Sequence, residues 1–238
     1  MKNLLFAKLC RPCVASCVMI FAGGCGSLFS KPASAPAFYS LDNAQSTRRA
    51  GASAPKIAPS VLPYTAPTLV VNPPRAAAGF DSQRIIYTRD AHKLDYFAQS
   101  EWIDTPARML TPLIVAAVEH SDSFRAVVQT PSAAAADVRL DTEILRLQQN
   151  FGDSPSGVRF TLRATMVDIA TRRVLGWREF DEIVAAASED PYGGVVAANR
   201  AVQIVLEKLA GFCTEVAAVW QPPAVESGQS MQGKVPVR

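Results

Sequence analysis

The sequence predicts an α+β protein, a two-layer sandwich in which a mostly antiparallel meander packs against two helices. Three observations carry this. In residues 157–170, Val158, Phe160, Leu162, Ala164 and Met166 alternate with Arg159, Thr161, Arg163 and Thr165, the period-two pattern of a strand with one dry and one wet face. Near the C-terminus, Val195, Ala198, Val202, Val205, Leu209, Phe212, Val216 and Val219 recur at alternating spacings of three and four, a single apolar seam along a helix. Between a Pro/Ala-rich stretch and a polar tail lie about 150 residues, enough for one domain with its own core.

The chain opens with Lys2, Lys8 and Arg11, followed by the uncharged run Pro12 to Gly24. A basic start and an apolar run of this length make a secretory signal, too short to span a membrane. Four cysteines fall here: Cys10, Cys13, Cys17 and Cys25. Cys10 and Cys13 have CxxC spacing, which in a folded domain suggests a redox pair or half a zinc site. In a segment expected to be removed, with only His92 and His120 elsewhere as histidine ligands, neither chemistry is expected.

Two cysteines compete as the end of a lipoprotein signal, after Val14-Ala15-Ser16 and after Ala22-Gly23-Gly24. Cys17 has the more usual residue three places upstream. Only five residues separate it from Arg11, however, against the roughly 7 to 15 that an apolar signal core needs. Cys25 is therefore the expected lipid attachment site. Gly26-Ser27 follows it without an Asp, and outer-membrane sorting is the expectation. Two or more acyl chains, at about 0.8 kcal/mol per buried methylene, hold a protein stably.

Removing residues 1–24 takes away three basic residues and no acidic one. The 24 Lys+Arg and 21 Asp+Glu of the whole chain then become 21 and 21. A neutral chain without a basic stripe lacks the electrostatic driver of nucleic-acid binding. Cys213 is left as the one cysteine without a lipid and is expected to be a buried, inert thiol.

Residues 25–67 form the expected linker, rich in Ala, Pro and Ser and interrupted by the apolar patch Phe38-Tyr39-Ser40-Leu41. Forty such residues reach about 130 Å fully extended and average nearer 35 Å as a coil. The domain proper is expected over 68–220. Thr68 to Asn72, Gln83 to Thr88 and Lys93 to Ala98 read as strands by their β-branched and aromatic content. A helix follows, with Asp104 or Thr105 as N-cap and Pro106 in its first turn, running to about His120. Pro112 should either kink it or mark a restart capped by Thr111.

Asp137 to Gln149 alternates as Val138, Leu140, Thr142 and Ile144, then shifts to Leu145 and Leu147, which predicts a bulge. The alternating strand over 157–170 is next, followed by an Ala170-to-Arg173 turn and a third long strand, Val174 to Ala185. The last helix opens near Asp190-Pro191 and ends near Trp220. Its seam suits either a partner helix or the dry face of the sheet, and the sheet is the better match. Residues 221–238 return to Pro, Gly, Ser and Gln and are expected to be a disordered tail.

No catalytic constellation is visible. His92 and His120 have no nucleophile motif near them, and no cofactor or metal is expected. Gly193-Gly194 lacks the company of a phosphate-binding loop and reads as a loop-to-helix hinge. Glu179, Asp181, Glu182, Glu189 and Asp190 form an acidic cluster without an EF-hand pattern, expected to be a solvated edge. Tyr87, Tyr96, Phe97 and Trp102 concentrate aromatic residues before the first helix. Most should be core, with Tyr96 and Trp102 as the candidates for partner contact.

The order of these features resembles the ABC-type transport auxiliary lipoproteins, the PqiC-like family. The likeness lies in a lipid-box cysteine at Cys25, the linker patch Phe38-Tyr39-x-Leu41, and the strand Leu69-Val70-Val71. It continues with the run Ile85-Ile86-Tyr87-Thr88-Arg89, Leu94 with Tyr96, and Trp102-x-x-x-Pro106 leading a helix. It covers about residues 25–219. Ala22 in the lipid box, Pro112 inside the helix and the tail after Trp220 depart from the pattern.

The resemblance implies a non-enzymatic lipoprotein on the periplasmic face of the outer membrane. Its partners would be a mammalian-cell-entry (MCE) protein and an inner-membrane ABC transporter of permease and ATPase that together move lipids. Some family members assemble into homo-oligomeric rings. An outer-membrane lipoprotein that activates a cell-wall synthase or assists lipopolysaccharide assembly would share the anchor, linker and small domain, and it stands as the alternative.

Overall fold

The long alternating strands are the frame on which every other element is placed. The computed structural model describes residues 35–42, 66–152 and 154–222. The signal segment, Cys25, most of the expected linker and the tail beyond 222 lie outside the described residues. Along the chain come β1 (Ala37–Tyr39), β2 (Thr68–Val71), β3 (Arg75–Ala76), β4 (Arg84–Thr88) and β5 (Asp95–Trp102). Helix α1 (Pro106–Glu119) and β6 (Ala126–Gln129) follow, then β7 (Val138–Asn150), β8 (Gly157–Asp168), β9 (Val174–Ala185) and α2 (Pro191–Val219).

β7, β8 and β9 pair antiparallel along nearly their whole lengths and form the expected meander. The register of β7 slips between Ile144 and Arg146, where the shift in alternation predicts a bulge. The other edge of β7 is shared by three short parallel partners in succession. β2 lies beside Leu140, β3 beside Ile144 and β4 beside Gln149. β6 extends β2, β5 extends β4, and β1 joins β5. The sheet is thus mixed in its short strands and antiparallel in its long ones.

The even-numbered residues of β8, from Val158 to Met166, are buried with Val138, Leu140 and Ile144 of β7. Over them lies α2, whose seam from Val195 to Val216 is buried residue by residue; only Val219 at its end stays exposed. Each such side chain contributes about 1.5–3 kcal/mol of burial. Phe212 meets Phe180 of β9 edge to face, with ring centroids 6.2 Å apart. The seam therefore serves the sheet, and α1 completes the same core with Leu110, Ile114 and Val118.

Pro112 does not restart α1, which runs unbroken through it. Thr111 does not cap a second segment. Its hydroxyl donates to the Ala107 carbonyl at 2.9 Å, the back-bonding that helical Ser and Thr use when no cap is needed.

Two boundaries differ from expectation. Strand β5 begins two residues later and runs through to Trp102, because its pairing with β4 re-registers from Tyr96 to Glu101. The larger difference is β1: the apolar patch inside the expected linker is part of the domain. Ala37–Tyr39 pairs with Ser100–Trp102, and Leu41 is buried. Its apolar side chains find a place against α1 and α2, so composition alone misplaces the domain start at residue 68.

Candidate functional site

The first described strand is clamped onto the first turns of α2. Tyr39 stands 6.5 Å from Tyr192 between ring centroids. The Asp42 N–H donates to Asn199 Oδ1 at 2.8 Å, and Asn199 Nδ2 donates to the Ser40 carbonyl at 3.1 Å. Leu41 sits above Met109 of α1, its N–H 3.4 Å from the sulfur. Among the described residues β1 has β5 as its one sheet partner, and none of them pairs with its outer edge.

Of the two aromatic candidates for partner contact, the structure leaves one on the surface. Trp102 is 3% exposed. It lies on the inward side of β5 at a small void lined also by Ile85, Leu147, Gln149 and Ala198. Its size and its place opposite Tyr39 in register make it a core residue that anchors β5. Tyr96 is 51% exposed, with the Arg84 guanidinium 4.1 Å from its ring centroid. Tyr87 and Phe97 pack together 4.6 Å apart, with Phe151 edge-on to Tyr87 at 5.7 Å.

The odd-numbered face of the meander is polar and paired. Arg163 joins Glu179 at 3.0 Å and Glu143 at 3.6 Å. Arg159 grips both oxygens of Asp181, which also accepts from the Thr161 hydroxyl. These bonds, that to Arg159 foremost, hold the Asp181 carboxyl down at about 2. Glu182 pairs with Lys208, Glu189 accepts the Ser156 N–H at 2.8 Å, and Asp190 caps α2 through the Gly193 N–H at 2.7 Å. Every member of the acidic cluster is engaged by a neighbour. Among the described residues no group of three or more His, Cys, Asp and Glu is arranged to hold a metal.

Gly193 and Gly194 are not a hinge. Both lie in the first turns of α2 and are buried; Gly194 is small because the sheet is close, and Gly193 because the loop before the helix folds back on it. A Cβ on Gly194 would sit 2.9 Å from Gln149 Cδ and closer still to its Oε1; one on Gly193 would sit 2.8 Å from the Ser188 nitrogen. With Asp190 seated on the N–H groups, that helix end offers nothing to a phosphate. His92 lies in the β4–β5 turn at positive φ and His120 caps α1 with its ring on the Ala116 carbonyl; both are exposed. Cys213 is free and buried, its thiol pushed up to about 12 by desolvation.

Sequence reasoning missed several exposed apolar side chains. Trp177 of β9 is 65% exposed, and Phe38, Ile103 and Tyr192 are as open. A signal for Trp177 was present, since it shares the odd-numbered parity of Glu179 and Asp181. No described helix is long and apolar enough to cross a membrane.

Comparison with known proteins supplies a family. The model of the family described as "ABC-type transport auxiliary lipoprotein component" matches residues 39–210, well over half of the chain and including β1. None of the curated proteins matches. Among solved structures, protein XCC0632 from Xanthomonas campestris is similar at TM-score 0.60 and 24% identity, over 67% of this chain and 90% of that one. An uncharacterized protein is similar at TM-score 0.54 and 9% identity, over 76% of this chain and 97% of that one. These likenesses show the fold.

Proposed function

The chain belongs to the family of ABC-type transport auxiliary lipoprotein components, and from that premise we propose that it is a non-enzymatic outer-membrane lipoprotein. In this proposal it docks the MCE protein of an ABC-type lipid transport system to the outer membrane. The family match over residues 39–210 carries the proposal. Two features support it. The apolar run before Cys25 is long enough for a lipoprotein signal, which gives the domain an anchor. The acidic cluster is spent on Arg159, Arg163, Lys208, the Ser156 N–H and the α2 cap, in keeping with a docking part rather than a catalyst.

The partner is an MCE protein held in turn by a permease and ATPase. Tyr96, presented on β5 and backed by Arg84, is the proposed aromatic contact. Affinity purification of the lipidated protein after mild crosslinking should bring down an MCE protein. Repeated recovery without one, or recovery of a cell-wall synthase instead, would overturn this assignment in favour of another envelope machine.

A further inference from the structure

The family reading implies a lipid anchor, and the place of β1 in the fold bears on which end of the domain it would hold. Ala37 enters the sheet twelve residues after Cys25. A chain of that length reaches at most about 40 Å fully extended. The long linker of the sequence is therefore divided: only the residues before β1 act as a leash, and the remainder joins β1 to β2.

We propose that the β1 end of the domain rests on the phospholipid leaflet that holds the acyl chains of Cys25, with Phe38, Ile103, Tyr192 and Val196 in its headgroup region. This rests on the lipidation of Cys25. Phe38 and Ile103 lie on one side of the β1 edge, where Phe38 is opposite Glu101 in register and the Ile103 N–H donates to the Tyr39 carbonyl at 2.7 Å. Tyr192 and Val196 lie on the other side, one helical turn apart on α2 and beside Tyr39. Phe38 is 60%, Ile103 62%, Tyr192 64% and Val196 46% exposed. An apolar rim around such a strand edge, with a tyrosine among its members, is the composition that partitions into a membrane interface. Glu101 does not oppose this, because Arg84 faces it across β4 and β5.

The leash length weighs against the inverted orientation. Helix α2 has 29 residues and is about 43 Å long. Its first turns clamp β1, and its far end is pinned beside the β8–β9 turn by the Trp220 indole N–H, which donates to Asp168 at 2.9 Å. Standing on that far end would lift β1 by about the full contour of the leash. Lying sideways would leave the rim in water while the leaflet is within reach.

The test uses full-length lipidated protein in phosphatidylethanolamine–phosphatidylglycerol vesicles carrying a nitroxide-labelled phospholipid. A fluorophore is attached to Phe38→Cys, to Tyr192→Cys and, at the far end, to Val174→Cys; the native Cys213 is buried and does not react. Labels at 38 and 192 should be quenched several-fold more strongly than the label at 174. Equal quenching, or stronger quenching at 174, would overturn the orientation. Mass spectrometry of the mature N-terminus separates the two ideas. A lipid on Cys25 with equal quenching removes the orientation alone, whereas an unmodified Cys25 removes that residue as the anchor and the leash length argued from it.

Discussion

Replacing Gly194 by alanine tests whether the glycine pair at the start of α2 exists for close packing. In an open helix the change would stabilise by about 0.5–1 kcal/mol, because alanine loses less backbone entropy than glycine. Here the new Cβ would lie 2.9 Å from Gln149 Cδ, where carbon atoms ordinarily sit about 3.5–4 Å apart. Gln149 is 2% exposed, and its Nε2 donates to the buried Ser156 hydroxyl at 2.9 Å. The amide cannot swing aside without breaking that bond, worth about 1 kcal/mol. Overpacking adds about 1–3 kcal/mol, so Gly194→Ala should destabilise by about 1–3 kcal/mol net. Gly211, on the same helix, has nothing within 4 Å of a built Cβ, and Gly211→Ala should stabilise by about 0.5–1 kcal/mol. Urea unfolding followed by circular dichroism measures both. Equal stability of the two variants would refute the packing explanation and restore the hinge.

Leu209→Ala, in the middle of the seam and fully buried, should cost about 2.7–5 kcal/mol, while Val219→Ala at the exposed end should fall within about 0.5 kcal/mol of the parent; similar small effects in thermal unfolding would mean the seam does not cover the sheet. Asp168 accepts from the Thr171 N–H and hydroxyl and from the Trp220 indole, and these bonds, the Thr171 N–H first, hold its carboxyl below the usual range. Because the folded value is depressed, its stabilising contribution is present above the unfolded value near 4 and is lost as pH falls through the folded one. Asp168→Asn should therefore cost about 1.5–3 kcal/mol at neutral pH and flatten the acid limb of the stability curve. Asp181, held at about 2, acts in the same sense from about pH 4 downward, but its partly exposed pair with Arg159 limits it to about 0.5–1 kcal/mol, seen as a small stability loss in Asp181→Asn. Cys213, pushed up to about 12, should resist a maleimide at pH 8 in folded protein and react on unfolding in urea; rapid labelling of the native state would contradict its burial.

The long elements were legible because each carries enough residues for its period to rise above accident. β7, β8 and α2 announce themselves in this way, and even the bulge after Ile144 shows as a break in alternation. β1, β3 and β6 were not legible, since strands of two to four residues carry no measurable period. β3 exists because β7 has a second edge to be paired, and β1 and β6 because β5 and β2 each leave an edge to be joined, a property of the assembled sheet. Trp102 and Tyr96 show the same limit at the level of side chains. Both are aromatics on one strand, and only the pairing of β5 with β1 and β4 decides that Trp102 turns inward while Tyr96 stays out. For Gly194 the sequence showed a small residue at a helix start, but the reason, Gln149 approaching from β7, is more than forty positions away.

Moving β1 into the domain also changes how far the protein can act from its anchor. A linker ending at residue 67 would have let the domain roam by about 130 Å at full stretch. With the lipid on Cys25, as proposed, and β1 starting at Ala37, the near end of the domain would stay within about 40 Å of it, and the far end of α2 adds about another 43 Å. Asn199 ties the end of β1 to α2 on both sides of Leu41, so β1 belongs to the domain rather than to the leash. A lipid carrier shuttling on its own tether needs reach; a docking part does not. The short leash thus favours a fixed receptor to which a longer partner must come. Inserting a flexible segment of about 30 residues between Cys25 and Ala37, which roughly doubles the coil's mean reach, distinguishes the two: a receptor should tolerate it with weakened partner recovery, whereas a shuttle should work better. Improved lipid transport on lengthening the leash would refute the docking role.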